Sequence, residues 1–217
     1  MLSLSSDTVQ RVENLTSEYR ETAFIFDDSM FERNRSKAVE MLARFKDYAT
    51  GSYYKGFRML TMGWSDGHSF IPMDFALLSS AKSAINGMMQ GVDKRTHGYK
   101  RREEALRSAP QVIAEMLDRA IQAGVSATYV LMDSWFTHAP LIQEVTRRRA
   151  LHVICMVKND NKRYLVNAQR LCLRELYTAA TRVDLINEIA TKAGKKIPNS
   201  IQRQLQQWIA GRTLERP

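Results

Sequence analysis

Two short apolar stretches, each ending in carboxylates, constrain this chain more than anything else in it. Residues 22–29 read TAFIFDDS, in which Ala23, Phe24, Ile25 and Phe26 run directly into Asp27, Asp28 and Ser29. Far down the chain Tyr129, Val130, Leu131 and Met132 lead into Asp133, Ser134 and Trp135 in the same manner. Runs of β-branched and aromatic residues favour strands. A strand buried in a core holds a carboxylate at its exposed end rigidly, as a metal centre requires. Two such strands lying adjacent in one sheet bring Asp28 and Asp133 side by side. Strand side chains alternate between faces, so Asp27 points away from Asp28 and only one of the two can join Asp133.

The remaining pattern supplies a sheet for these strands. Val9, Val12, Leu15 and Tyr19 form a helical stripe, so residues 1–21 read as a lead-in helix. Ser36 caps an expected helix whose apolar face is Ala38, Val39, Leu42, Ala43 and Phe45, ended by Gly51 and Ser52. GFRMLTMGW and SFIPMDFALL, joined by the turn signal Ser65-Asp66-Gly67, read as a hairpin. Residues 81–104 carry three glycines and few strand formers and read as a flexible connector. A helix is expected over 105–123, closed by Gly124. A further helix over 138–149, a continuous apolar strand LHVICMVK, a minor hairpin RYLVNAQRLCL and a short helix RELYTAA complete the pattern. The fold class is therefore α/β, with a mixed sheet flanked by helices. The domain reading is a lead-in helix over 1–21, a catalytic domain over 22–181 and a helical C-terminal tail over 182–217.

Charge points to the partner. Lysine and arginine total 32 against 23 acidic residues, a net charge of +9 in 217 residues. Such a balance favours a polyanion, nucleic acid first. The cations cluster at Arg33, Arg35 and Lys37 just beyond the first carboxylate strand, and at Lys94, Arg95, Lys100, Arg101 and Arg102 in the connector. Both clusters read as phosphate contacts, with Tyr99 interleaved as a stacking aromatic. Two cysteines make neither a disulfide framework nor a zinc site, and Cys155 reads as a small core residue. No signal peptide and no apolar run of roughly 20 residues is present, so a cytoplasmic protein without membrane contact is expected. The four histidines lack ligand spacing, no Gly-rich phosphate loop precedes a helix, and no serine has a nucleophile-elbow pattern. The paired aspartates instead suit Mg2+ or Mn2+, hard ions that prefer carboxylate oxygens. Two such ions clamp the attacking and leaving oxygens in phosphodiester chemistry.

The blocks DDSMFERNRSK, KGFRMLTMGWSDGHSFIPMDFALLSS, DKRTHGYKRREEA, YVLMDSWF and HVICMVK resemble, in this order, the transposases of IS4-type insertion sequences. The resemblance covers residues 15–177. It implies an RNase H-like domain with a DDE triad that uses two divalent metals to cut DNA at element ends and join them to a target. On that motif Asp28 is the first triad acid, with Asp27 as the alternative, and Asp133 is the second. The family's third acid, a Glu within a Tyr-x2-Arg-x3-Glu-x6-Lys motif, has no counterpart here: Glu175, Glu188 and Glu215 all lack that context. The chain therefore reads as a shortened copy of an incomplete RNase H-like domain, with the segment bearing the Glu and an N-terminal DNA-binding region both missing. The expected partners are DNA, at element ends and target, and further copies of the chain. Two functions follow: an IS4-type transposase impaired by the missing acid, or a catalytically inactive remnant that binds DNA.

Overall fold

The computed structural model describes residues 2–15, 19–47, 50–157, 161, 163–166 and 169–175. Contacts divide the chain into two units, residues 1–157 and 158–217. In the first unit the elements run α1 (Leu2–Leu15), β1 (Ala23–Glu32), β2 (Ala43–Lys46), β3 (Tyr53–Ser65), β4 (Phe70–Leu78), α2 (His97–Ala105), α3 (Ala109–Gln122), β5 (Tyr129–Met132), α4 (Ala139–Arg149) and β6 (His152–Cys155). The second unit contributes a hairpin of β7 (Arg163–Val166) and β8 (Gln169–Cys172), the minor hairpin expected from sequence. The expected helical tail over 182–217 lies outside the described residues, as does most of RELYTAA.

The six strands of the first unit form one mixed sheet in the order β2-β3-β1-β5-β6, with β4 also paired to β3. β1 runs antiparallel to β3 along its whole length and parallel to β5 over Ala23–Phe26. β5 is in turn parallel to β6. Parallel neighbours need a long crossover: the chain passes from β1 to β5 through β2, β3, β4, α2 and α3, and from β5 to β6 through α4. The α/β fold with a mixed sheet flanked by helices expected from the sequence is the one observed.

One face of the sheet holds the core. Phe24 and Phe26 of β1, Leu60, Met62 and Trp64 of β3, and Val130 and Met132 of β5 alternate onto it, against Val112, Ile113, Met116 and Leu117 of α3 and Leu141 and Val145 of α4. Trp64 is fully buried, and its indole N–H donates to the Ser126 carbonyl at 3.0 Å, so the buried ring leaves no polar atom unpaired. α1 belongs to the same unit: Val9 enters this core, and the Ser5 hydroxyl donates to the Pro72 carbonyl at 2.8 Å. Cys155 packs at the edge of the core, as its apolar context suggested. Where β1 and β3 come closest, Gly56 is required by space, because a Cβ there would lie 2.2 Å from the Phe31 carbonyl oxygen.

Three local expectations give way. The helix from Ser36 does not form: residues 33–42 are turns, and 43–46 are β2, antiparallel to β3. The Leu42 carbonyl accepts from the Ile85 and Asn86 amides, while Met41 takes a left-handed φ of 58°, which ends any helix there. Leu42 instead joins Met41, Phe57 and Ala105 in a small second cluster. The connector is also more ordered than its glycines imply, because Thr96 caps α2 by accepting from the Tyr99 amide at 3.2 Å. Finally, the helix expected over 105–123 begins only at Ala109, restarting after a break with Pro110 in its first turn. Gly124, just past α3 at φ +80°, is the helix-ending glycine the pattern indicated.

A buried charge cluster fixes α2 and α3 to β4. The Asp74 carboxylate, only 4% exposed, accepts from Arg101 at 2.8 Å and from Arg119 at 2.7 Å. Glu104, equally buried, meets the same two arginines at 2.6 and 2.8 Å. Burial by itself would raise the Asp74 carboxyl, but the hydrogen bonds and charges of Arg101 and Arg119 outweigh it and hold the group below its ordinary value. A depressed folded-state pKa means that the unfolded chain takes up the proton more readily. The stabilisation is thus complete above roughly pH 5 and is lost as the pH falls through the depressed value. Asp74→Asn should lower stability at pH 7 by roughly 2–3 kcal/mol, below the full cost of breaking a buried pair because both arginines are partly solvated. Urea unfolding at pH 7 and pH 3 checks this: the variant should lose less on acidification than the parent.

Candidate active site

Sheet register decides how the acidic residues meet. The parallel ladder pairs Phe26 with Met132 and ends there, so the next residues on the two strands are Asp27 and Asp133. β1 itself does not end at the aspartates, as its sequence suggested, but continues to Glu32 because β3 pairs with it as far as Gly56. The carboxylates therefore lie at the mouth that opens where β5 turns away and β1 goes on. Alternation places Asp27 on the face of Ile25, opposite the core, while Asp28 follows Phe24 and Phe26; Asp133 lies one residue past the end of β5.

Asp133 is held in place by its own backbone. Its φ of −66° and ψ of 164° make it the cap of a 3-10 turn, Ser134–Phe136, and one carboxylate oxygen accepts from the Trp135 amide at 2.7 Å. Asp27 is exposed, and its carbonyl accepts from the Thr61 hydroxyl at 3.2 Å. His138 caps α4 by accepting from the Leu141 amide at 3.4 Å.

Asp28 has a different neighbour. Arg58, projecting from β3, donates from both Nε, at 2.6 Å, and a terminal nitrogen to one Asp28 carboxylate oxygen. The pair is largely shielded, with side chains 20% and 15% exposed. Burial draws the Arg58 guanidinium below its ordinary pKa. The same guanidinium lies 5.1 Å from the Trp135 ring centroid, so one arginine links Asp28 to the turn that carries Asp133. Nothing in the sequence singles out Arg58: a lone arginine in GFRMLTM reads as an exposed strand position.

The basic residues divide by what they touch. Arg101 is bound to Asp74 and Glu104 as described, and Arg102 makes a forked pair with Glu40, closest at 2.8 Å. Both were expected to face DNA, and both have their guanidinium groups paired with carboxylates, although the Arg101 side chain remains 49% exposed. Arg33 lies over the Phe31 ring at 4.2 Å, and Arg95 pairs with Asp93 at 2.9 Å on the surface. Arg33, Arg35, Lys37, Lys94 and Lys100 are exposed.

The metal expectation can be tested on the donor set. Asp27 and Asp133 offer hard oxygen donors at the same level of the two strands, suited to Mg2+ or Mn2+, whereas the Asp28 carboxylate already has a cation against it. Among the described residues no three His, Cys, Asp or Glu side chains are grouped to hold an ion. Glu188 and Glu215 lie outside the described residues. Glu175 lies in the second unit, where its carboxylate accepts from the Cys172 amide at 2.7 Å and that bond holds its pKa down.

Residues 4–179 match the family described as DDE superfamily endonuclease. The chain belongs to this family. No curated protein matches it. Among solved structures, this DDE-family chain is similar to the Drosophila P element transposase strand transfer complex, at 10% identity and a TM-score of 0.28, over 76% of this chain and 35% of that one. The chain thus spans about a third of the length of that solved chain. No helix among the described residues is long and apolar enough to cross a membrane.

The Asp28–Arg58 pair yields a direct expectation. In a double-mutant cycle of Asp28→Ala and Arg58→Ala read by urea unfolding, the coupling energy should be about 1–3 kcal/mol. Additive losses would mean that the two side chains do not support each other.

Proposed function

We propose that this DDE-family chain derives from an IS4-type DNA transposase and acts on DNA phosphodiesters with divalent metal bound at the ends of β1 and β5. The observation that carries the reading is the register placing an aspartate of each strand at the same level, beside Arg58 and within a strongly basic chain. Asp133 is the common member of the site. Asp28 is the first triad acid on the family motif, and Asp27 is the acid that stands level with Asp133. Mg2+ or Mn2+, when bound, would polarise the phosphoryl group and lower the pKa of the attacking water.

The chain's own residues have three tasks. Asp133, fixed by its bond from the Trp135 amide, presents one oriented carboxylate oxygen. Arg58 either neutralises Asp28 or, released from it, offers a forked donor to a phosphate. The exposed cations Arg33, Arg35, Lys37, Lys94 and Lys100, with Arg95, hold the DNA backbone without reading its sequence. Further copies of the chain and cytoplasmic residence belong to this proposal.

A second reading is favoured by the Asp28–Arg58 pair together with the lack of a three-member ligand cluster among the described residues. In it the chain binds DNA but does not cut, because the third acid is missing. Nicking of supercoiled plasmid in Mn2+ separates the two. On the transposase reading the purified chain nicks, Asp133→Ala lowers the rate at least a hundredfold, and whichever of Asp27→Ala and Asp28→Ala behaves alike identifies the partner acid. Salt-sensitive DNA binding without any nicking, by a protein shown to be folded, establishes the remnant.

A further inference from the structure

Three cations stand level with one another on the sheet face opposite the core. The Arg33 amide donates to the Lys55 carbonyl at 2.7 Å, which carries the β1–β3 ladder one residue past Glu32 and sets Arg33 beside Lys55. On the other side of β3, Arg44 of β2 is registered with the same Lys55. The core residues Leu60, Met62 and Trp64 alternate in step with Tyr54 and Gly56, so Lys55 points away from the core. Directly opposed residues share a face. Arg33, Lys55 and Arg44 therefore form a row across three strands, about 10 Å from end to end at roughly 4.8 Å per strand. A ring lies under each end of the row: the Arg33 guanidinium is 4.2 Å from the Phe31 centroid, and that of Arg44 is 4.5 Å from the Tyr53 centroid. Arg33, Arg44 and Tyr53 are exposed, and among the described residues no carboxylate pairs with any of the three cations. Glu32 alternates onto the other face, where its carboxylate accepts from the Asn34 side-chain amide at 2.9 Å.

We propose that this row is a docking surface for the phosphate backbone of duplex DNA. Like charges directly opposite across neighbouring strands destabilise a sheet, so the row carries a repulsion that no described side chain offsets. Phosphates laid over it remove that repulsion and release their counterions. A guanidinium stacked on a ring keeps its N–H edges free, and those edges match phosphate oxygens. The turn beyond Arg33 continues the positive surface with Arg35 and Lys37, both exposed. Asp27 lies on the same face of the sheet, six residues back along the strand, or about 20 Å at the rise of an extended chain. DNA docked on the row is thus on the side of the sheet to which Asp27 points. The inference rests on the reading of the chain as one that acts on DNA, and adds Arg44 and Lys55 to the residues that would hold the polymer.

The test measures binding of a labelled DNA duplex in EDTA, where no cleavage occurs, and follows urea unfolding of the same proteins. The full chain is compared with Arg44→Gln/Lys55→Gln, with Lys55→Glu, and with the equal-charge control Arg11→Gln/Arg147→Gln, whose sites lie on α1 and α4 across the sheet. The double row variant should lose at least tenfold in duplex affinity relative to the control and show a salt slope shallower by about 2. Lys55→Glu sets a carboxylate between Arg33 and Arg44, so it should raise the urea midpoint while also lowering duplex affinity at least tenfold. A lowered midpoint in Lys55→Glu would mean that the three side chains do not face one another, and overturns the row. Duplex affinity in the row variants equal to that of the control overturns the docking surface. If the parent nevertheless nicks plasmid in Mn2+, the functional proposal stands without it. Binding lost in both row variants, with no nicking by the parent, defeats the DNA-cutting proposal and leaves the docking surface established. A parent that binds no duplex overturns both.

Discussion

Every pairing that brings the acidic residues together runs through the backbone of β1. Its ladder to β3 is antiparallel and long, whereas its ladder to β5 is parallel and stops at Phe26 and Met132. Because side chains alternate, a slip of one residue against β5 would move every side chain of the shorter strand to the opposite face. The buried side chains prevent that slip. Phe24 and Phe26 with Val130 and Met132 all enter the core, and a one-residue slip would turn two of the four out of it. Packing thus sets which aspartate stands level with Asp133, by way of residues that take no part in any chemistry.

Arginine chemistry is the second organising influence. Arg101, Arg102, Arg119 and Arg149 each meet a carboxylate within the fold and tie α2, α3 and α4 to their surroundings. Planar guanidinium groups suit this task because each can serve two acceptors at once. The consequence for function is that net charge overstates the cation available to a polyanion. Exposed cations remain on the turn after β1, on β2 and on the segment leading into α2, while Arg58 of β3 is held against Asp28.

Much of this architecture was legible in the chain itself. The apolar runs ending in Asp, the Ser65-Asp66-Gly67 turn, the stripe of α3 and the glycine after it are local signals, and each marks the element found. Residues 36–46 misled because Ala38, Val39, Leu42 and Phe45 fit a helical period, yet β3 offered them an edge and Leu42 a pocket beside Phe57. The cap at Thr96 was a weaker signal than the glycines around it. Arg58 and the β2 cations carried no signal, since an arginine in a strand looks the same whether it meets solvent or a carboxylate thirty positions away in the chain.

The sequence by itself determined most of the elements, the alternation that sets Asp27 against Asp28, the excess of positive charge and the family, because these depend on neighbours along the chain. Only the tertiary structure decided that β1 and β5 are adjacent and parallel, that Asp28 meets Arg58 while Asp27 stands level with Asp133, and that Arg101 and Arg119 share the buried Asp74 and Glu104. Those outcomes depend on contacts between residues remote in sequence. Their geometry follows from burying one sheet face against α3 and α4, and no local pattern encodes it.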